Sequence, residues 1–434
     1  QTDALGNAIT VTHDLGARKQ AVKDRVGNTT TYEYDARGNV SQVTDPAGGV
    51  TKYTYDTNDN ETSVTDPLGR KTTRVFDAFG NITSETDPLG RVTTTTYDAS
   101  GNVTQLAQPG GMTHGYSYDG SGQLTRLTTP DGQASSIGHT PRGSLSSLTD
   151  PLSRTSRWTY ATAHGTSLLQ TATAADGALN TYGYDSAGRT TSDALGVRLA
   201  AGAATSQARQ TMAYDANGRQ TAHTDPLGQT RRSQYNSAGD LTQETNPLAH
   251  LTTHTYDQRG ERTRTSHPGG QSDTWAYDAE GRETQSCTGA NGNAGLCTRT
   301  QYSALGHPSQ VTDPAGGITR RQYDAAGQLT QETDPLGRVT RHDYDAGGRT
   351  SKTTTALGHA TQWAYNAAGQ VSQLTAADGK VTSYAYDGAG RRTSTTLPGG
   401  ASQSTAYDAA GQRTSDTDAT GHTTKYGYDA AGRL

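Results

Sequence analysis

Large apolar side chains are scarce in this sequence. Leu, Ile, Val and Phe supply only 48 of its 434 residues, and Phe and Met occur twice each. That is too little aliphatic mass to fill a solid core for a 45.6 kDa chain. No stretch approaches the roughly 20 apolar residues of a membrane-spanning helix, so no membrane span is expected. Two cysteines with no Cys-x-x-Cys pair speak against a zinc site. A net charge of −5 lacks the basic footprint of a nucleic-acid binder. It also lacks the high charge that keeps many apolar-poor chains disordered. No glycine-rich phosphate loop opens a helix and no Gly-x-Ser-x-Gly elbow occurs, so no cofactor is expected.

What is present is a rhythm. The motif Tyr-Asp-x-x-Gly recurs, as in Tyr34-Asp35-x-x-Gly38, Tyr97-Asp98-x-x-Gly101, Tyr323-Asp324-x-x-Gly327 and Tyr407-Asp408-x-x-Gly411. With the Tyr as anchor there are 20 positions and 19 intervals, of which 16 are 21 residues long. The longer intervals lie at 160–184, 184–214 and 277–302. His13, Phe76 and His139 hold anchor positions by spacing alone. Of the 23 Tyr, 17 are anchors; the other six, and all three Trp (Trp158, Trp275, Trp363), sit two residues before one. A spacing of two puts both rings on one face of a strand, whereas on a helix they would diverge. The rings therefore predict β-structure held in register.

One unit shows the arithmetic. Asp87-Pro88-Leu89-Gly90 reads as a turn, Arg91 to Tyr97 as a strand, and Asp98 to Gly101 as a second turn. Asn102 to Gln108 returns as another strand. Two strands of about six residues and two turns of about four close a unit near 21 residues. The returning strand carries an aliphatic six residues after the anchor, as at Val40, Ile82, Leu241 and Leu329, among Thr, Ser, Gln and Arg. The prediction is an all-β, repetitive antiparallel β-hairpin array of one or two apolar side chains per strand, stabilised between neighbours. About forty strands at about 4.8 Å each make a ribbon on the order of 190 Å long. Wide twisted sheets curl, and one full turn of that length has a diameter near ~60 Å, a curved wall around a cavity rather than a filled barrel.

Chemistry candidates are few. Cys287 and Cys297 flank a lengthened turn where antiparallel strand ends face each other. A disulfide clamping that loop is expected, with two free structural thiols as the alternative. His250 and His254 have i,i+4 spacing, but on a strand His254 fills the aromatic slot before Tyr256, so substitution is the expected reading over a metal. Asp56 to Glu61 has a calcium-loop flavour but holds the register of an anchor turn in which Asp59 replaces Gly. The aspartates after each anchor recur as turn residues, whereas catalysis needs a singular constellation. No catalytic residue and no metal ligand is assigned. Irregular segments fall near 161–180, 197–210 and 287–297; the Ala-rich second one reads as a short helix or an exposed loop.

The Tyr-Asp-x-x-Gly units, alternating with turns such as Thr65-Asp66-Pro67-Leu68-Gly69, Thr86-Asp87-Pro88-Leu89-Gly90 and Thr333-Asp334-Pro335-Leu336-Gly337, resemble the RHS/YD repeats over nearly the whole chain. The resemblance implies that the array curls into a spiralling hollow β-sheet shell, or cocoon. Bacterial Rhs and wall-associated polymorphic toxins and the B and C components of Tc insecticidal toxins enclose a C-terminal toxin in it, and teneurins carry a similar shell on animal cell surfaces. It implies a secreted or cell-surface bacterial protein whose partners are its own C-terminal toxin or cargo, an N-terminal plug and secretion components. Bacterial members end in a Pro-x4-Asp-Pro-x-Gly-Leu segment that self-cleaves. Here every Asp-Pro-x-Gly is followed by Gly, Arg or Gln, so none of these aspartates is given a protease role.

The chain starts at Gln1 in mid-repeat and reads as a single array, 1–434, cut from a longer polypeptide. The function expected is non-enzymatic encapsulation of a toxin until delivery. Two alternatives stand beside it: a cell-surface adhesion or carbohydrate-binding module stacking sugars on Trp158, Trp275 or Trp363, and part of a self-cleaving core whose protease segment lies elsewhere.

Overall fold

The computed structural model describes residues 1–163, 165–198, 209–289, 296–429 and 432–434. Among these there are 39 β-strands in one sheet and no helix. The first is β1 (Thr10–Asp14) and the last β39 (Thr423–Lys425). Each strand pairs antiparallel with the one before and the one after it in chain order, as β3 (Thr29–Tyr34) does with β2 (Lys19–Lys23) and β4 (Val40–Thr44). The meander is thus built wholly from local pairings.

The two kinds of turn share one design. In the Tyr-Asp turn, Asp35 Oδ1 accepts the N–H groups of Arg37 at 2.8 Å and Asn39 at 2.9 Å. In the Asp-Pro turn, Asp66 Oδ1 accepts those of Leu68 and Arg70, both at 2.9 Å. The carboxylate satisfies two N–H groups that the turn withdraws from the ladder. The fourth position needs positive φ, met by Gly38 at 94° and Gly69 at 79°. Asp59, Ser153 and Ala249 occupy it at 60–65° without glycine.

The hairpins differ by a bulge. Tyr34 pairs with Val40 but Glu33 pairs with Gln42, leaving Ser41 as an extra residue. The same shift recurs beside Tyr55, Phe76, Tyr118, Tyr323 and others. Asp-Pro hairpins carry no shift. In most of these hairpins the extra residue is Ser or Thr, and in several its hydroxyl donates to the carbonyl before the anchor: Ser41 to Glu33, Thr83 to Val75 and Thr330 to Gln322, each at 3.2 Å. Bulges bend a sheet and raise its twist. From β3 onward a bulge falls in every second hairpin, on the Tyr-Asp side, and coils the ribbon in one sense.

The coil is tighter than composition alone led us to expect. Arg70, in the Asp-Pro turn between β6 (Glu61–Thr65) and β7 (Lys71–Phe76), donates from Nη1 to Gln328 Oε1 at 2.6 Å. Gln328 lies in the turn between β29 (Ile318–Tyr323) and β30 (Leu329–Thr333). The sheet therefore returns on itself after 23 strands. At about 4.8 Å per strand the circumference is near ~110 Å and the diameter on the order of 35 Å. The single ~60 Å turn is corrected: the wall is a spiral of more than one coil, because the recurrent bulge adds curvature that strand count does not reveal.

A hollow wall leaves almost nothing fully buried. Among the described residues Ala194 and Cys297 are the buried apolar ones, and no large side chain is completely enclosed. Closed sheets of about 16 strands or more leave an open lumen, and 23 per coil exceeds that. In 161–180, β15 (Thr155–Ala163) and β16 (Thr166–Thr173) pair past the anchor, with Ala161 opposite Leu168; residue 164 lies outside the described residues. In 197–210, Val197 and Arg198 end one strand and Arg209 and Gln210 begin the next; 199–208 lie outside the described residues.

Candidate functional site: turn ladder and inter-coil seam

The anchor tyrosine does more than fill space. In the hairpin joining β30 to β31 (Val339–Tyr344), pairing stops at Gln331 opposite Arg341, two residues short of Leu329. The Tyr344 phenol reaches into that gap and donates to the Leu329 carbonyl at 2.7 Å. Fourteen anchor tyrosines among the described residues make such a bond, thirteen of them to the residue six after the preceding anchor and Tyr184 to Leu169, nine after it. They include Tyr97 to Ile82, Tyr323 to Pro308 and Tyr407 to Arg392. Tyr34 instead donates to Gln20 Oε1 at 2.7 Å. Where intervals are long the bond survives, as from Tyr214 to Thr190 at 2.7 Å, so the register on either side is kept.

The fifth residue after the anchor ties neighbouring units. Arg349 Nε donates to Asp345 Oδ2 at 2.8 Å while its guanidinium lies 4.2 Å from the Tyr365 ring centroid. Arg219 does the same between Asp215 and Tyr235. Gln328 and Gln370 donate to the carbonyls of Gly348 and Gly390 in the next turn. Where Asn follows, it bonds its own turn aspartate: the Asn81 side chain first, then its N–H, holds the Asp77 carboxyl below the usual aspartate range. Asp98 is lowered in the same way by Asn102. These carboxylates serve turns, each with its own partners. Asp35, Asp324 and Asp408 cap their turns likewise, with Gly38, Gly101, Gly327 and Gly411 at positive φ.

The second feature is the seam where coils meet. Asp-Pro turns of the first coil face Tyr-Asp turns of the second at separations of 255 to 260 residues. Arg154 Nη1 donates to Gln412 Oε1 at 2.6 Å, Arg391 Nη2 to Asp131 Oδ2 at 2.9 Å, and Arg433 pairs with Asp176 at 2.6 Å. Leu89 packs so closely on Gly347 that a Cβ there would lie 2.7 Å from Leu89 Cδ1. Among the described residues no strand ladder crosses this seam; side chains hold it.

Cys287 and Cys297 stand opposite each other in the ladder between β26 (Glu283–Cys287) and β27 (Cys297–Tyr302), joined through Sγ atoms 2.04 Å apart. Residues 290–295 of that loop lie outside the described residues. His254 is buried with Nδ1 2.9 Å from Thr265 Oγ1, and burial first, then Arg262, lowers its pKa. His250 sits in a turn, its N–H bonded to Asn246 Oδ1, so the two histidines belong to different networks. Among the described residues no three His, Cys, Asp or Glu side chains are placed to hold a metal, and no helix is long and apolar enough to cross a membrane. Trp275 is capped by Arg262 at 4.6 Å, and Trp363 stands opposite Leu374 in the ladder.

These features define a class: a spiral β-wall of repeated hairpins whose recurring residues serve register rather than chemistry. The comparisons agree. The RHS Repeat family matches residues 20–50, 34–71, 76–114, 214–251, 235–272, 277–318, 323–360, 365–402 and 407–434, more than half of the chain. The chain belongs to the RHS-repeat family. No curated protein matches the sequence. Among solved structures it is similar to a chain of the Photorhabdus luminescens Tc holotoxin pore, at 14% identity and a TM-score of 0.62, covering 95% of this chain and 28% of that one. It is also similar to a chain of the TcdB2–TccC3–Cdc42 complex, at 14% identity and a TM-score of 0.58, covering 95% and 32%. At such identity the likeness is one of fold. The chain spans about a third or less of these structures' chains.

Proposed function

We propose that this chain is a section of a non-enzymatic shell that encloses a toxin or other cargo polypeptide of a bacterial toxin delivered outside the cell. The observation that carries the reading is the coil of 23 strands, a bore too wide for side chains to fill, in a wall with almost no buried core. Membership of the RHS-repeat family and the fold shared with the Tc holotoxin chain support it. The mechanism is steric: hydrogen-bonded hairpins separate the cargo from its surroundings, and a wall rich in Thr, Ser and Gln gives the cargo little apolar surface to bind. Allowing ~5 Å of side chains on each side leaves a lumen near ~25 Å. A folded domain of 100 residues has a radius of gyration of about 13 Å, hence a diameter above ~30 Å. Cargo inside this section is then an unfolded or narrow segment.

The test is protease protection. A protease-sensitive, unstructured segment fused after Leu434 is digested more slowly than the same segment free, and cryo-electron microscopy finds density in the lumen. Equal digestion rates with an empty lumen would overturn the proposal.

A further inference from the structure

A net charge of −5 hides how the charges divide between the two faces of the wall. Strand β9 (Val92–Tyr97) tells the faces apart, because it repeats one side chain four times. Thr93 and Thr95 share the face of the Tyr97 ring and are half-buried, whereas Thr94 and Thr96 are exposed. In a coiled sheet the crowded face is the concave one. The anchor face therefore lines the lumen, and the alternate residues of each strand look outward.

Acids and bases sort by face. On β3 to β39, eight of the ten Asp and Glu residues lie on the anchor face, and twelve of the eighteen Lys and Arg with described side chains lie on the outer one. Two dipeptides show the sorting in a single step. Arg231 and Arg321 point inward and pair with Glu244 and Glu332, at 3.8 and 2.8 Å. Their neighbours Arg232 and Arg320 point outward, in a row with Arg264, Arg299 and Arg341. The row crosses β21 (Thr230–Tyr235), β24 (Arg262–Ser266), β27, β29 and β31, and all five arginines are exposed. Register puts them at one height: Arg264 stands opposite Thr274, three before its anchor, and the other four are themselves three before an anchor. Among the described residues none of the five is ion-paired, in contrast to Arg231 and Arg321; Arg299 donates to Gln285 Oε1 at 3.2 Å. Asp343 is the one acid among the described outward-facing strand residues from 230 to 354.

We infer that this row binds a linear acidic polysaccharide, whose carboxylates or sulfates pair with the arginines along the outer wall. Curvature favours a chain over a flat surface. The row spans ten strand intervals, ~48 Å at about 4.8 Å each, or about 160° of a coil of 23 strands. A flat bilayer laid on a coil of about 20 Å radius departs by a Debye length of about 8 Å within roughly 50° of the contact line, so it meets three of the five at most. A flexible chain follows the curve and meets all of them. Chemistry favours a sugar over a nucleic acid. Every strand Tyr and Trp is an anchor or sits two before one, on the inner face, so the outer face offers bases no ring to stack on. Gln285, Gln310 and Gln331 stand beside Arg299, Arg320 and Arg341 and present amides to sugar hydroxyls. The inference concerns the convex face and is independent of what the lumen contains.

Polygalacturonate and heparin, a polycarboxylate and a polysulfate, are the probes, titrated calorimetrically into the 434-residue chain at about 0.15 M salt. At least one polymer is expected to bind, and which one binds tells carboxylate from sulfate. Changing Arg232, Arg264, Arg299, Arg320 and Arg341 together to Gln should weaken it about thirtyfold, and Arg299→Gln alone about threefold. Monomeric galacturonate, which reaches one arginine at a time, should bind at least about tenfold more weakly than its polymer. Arg126→Gln with Arg157→Gln, on the same face but outside the row, should leave the affinity within about twofold. Each change replaces an exposed side chain without an ion pair, and circular dichroism checks the fold; should the five-site variant misfold, Arg299→Gln decides. Failure of both polymers to bind, unchanged affinity in the row variants, or an equal loss in the two-site control would overturn the inference. So would tighter binding to phosphatidylserine vesicles or to single-stranded DNA.

Discussion

The phenol of Tyr344 donates to the carbonyl of Leu329 across 2.7 Å, bridging the gap where the ladder between two units has already parted. It explains why the anchor is tyrosine and not merely aromatic. Removing the hydroxyl leaves the ring and strips the carbonyl of its partner. Tyr344→Phe is expected to lower stability by about 1 kcal/mol, the typical net value of such a bond, read as a reduced denaturant midpoint at unchanged circular dichroism. An unchanged midpoint would show that the bond is idle.

Phe76 supplies the converse test, since it holds an anchor place without a hydroxyl. Phe76→Tyr adds the missing donor opposite the Glu61 carbonyl. A gain of about 0.5–1 kcal/mol is expected, and a loss would mean that this hairpin is packed differently from its neighbours.

The hairpins, their register and the shared ring face were legible because they follow from local rules. Asp87-Pro88-Leu89-Gly90 is a turn by chemistry, and the strand read as Arg91 to Tyr97 is observed as Val92–Tyr97. The phenol bond was not legible, because the carbonyl it serves is freed by a ladder ending that spacing does not disclose. Its trace is the preference for Tyr over Phe at the anchors. The bulge left a trace too, in the Ser or Thr seven residues after the anchor at Ser41, Thr83 and Thr330. Coil width was illegible in kind: it sums small bends over 23 strands, and pairs such as Arg70 with Gln328 lie 258 residues apart.

Ala249 occupies the fourth place of its turn at φ 60°. A left-handed conformation costs a residue with a Cβ roughly 1–2 kcal/mol, partly offset by the greater freedom of an unfolded glycine. Ala249→Gly is therefore expected to stabilise by about 0.5–1 kcal/mol, checked by its denaturant midpoint. The reverse change at Gly38, where φ is 94°, should destabilise.

Acid should loosen the turns. Asp56, Asp77 and Asp98 are held below their ordinary values chiefly by Asn60, Asn81 and Asn102. Groups depressed on folding stabilise the fold above the unfolded value near about 3.9 and lose that contribution as pH falls through the folded value. Stability should thus hold at pH 5 and decline below about pH 4. Melting curves across that range check it, and a decline already complete at pH 5 would contradict it.

The Cys287–Cys297 bond joins the ends of neighbouring strands across a sequence separation of 10 residues. A non-reducing peptide map should recover the two cysteines in one linked species. Reduction should lower local stability by about 2–3 kcal/mol, seen as faster hydrogen exchange in residues 283–302. Two free thiols under non-reducing, oxidising conditions would refute the bond.

The central claim is that the ribbon winds into a hollow coil closed by its own rims. Small-angle X-ray scattering of the 434-residue chain tests it most directly. Coils near ~35 Å wide predict a hollow particle with a longest dimension below ~100 Å. A longest dimension near the ~190 Å of an uncoiled ribbon, or the profile of a filled sphere, would contradict it.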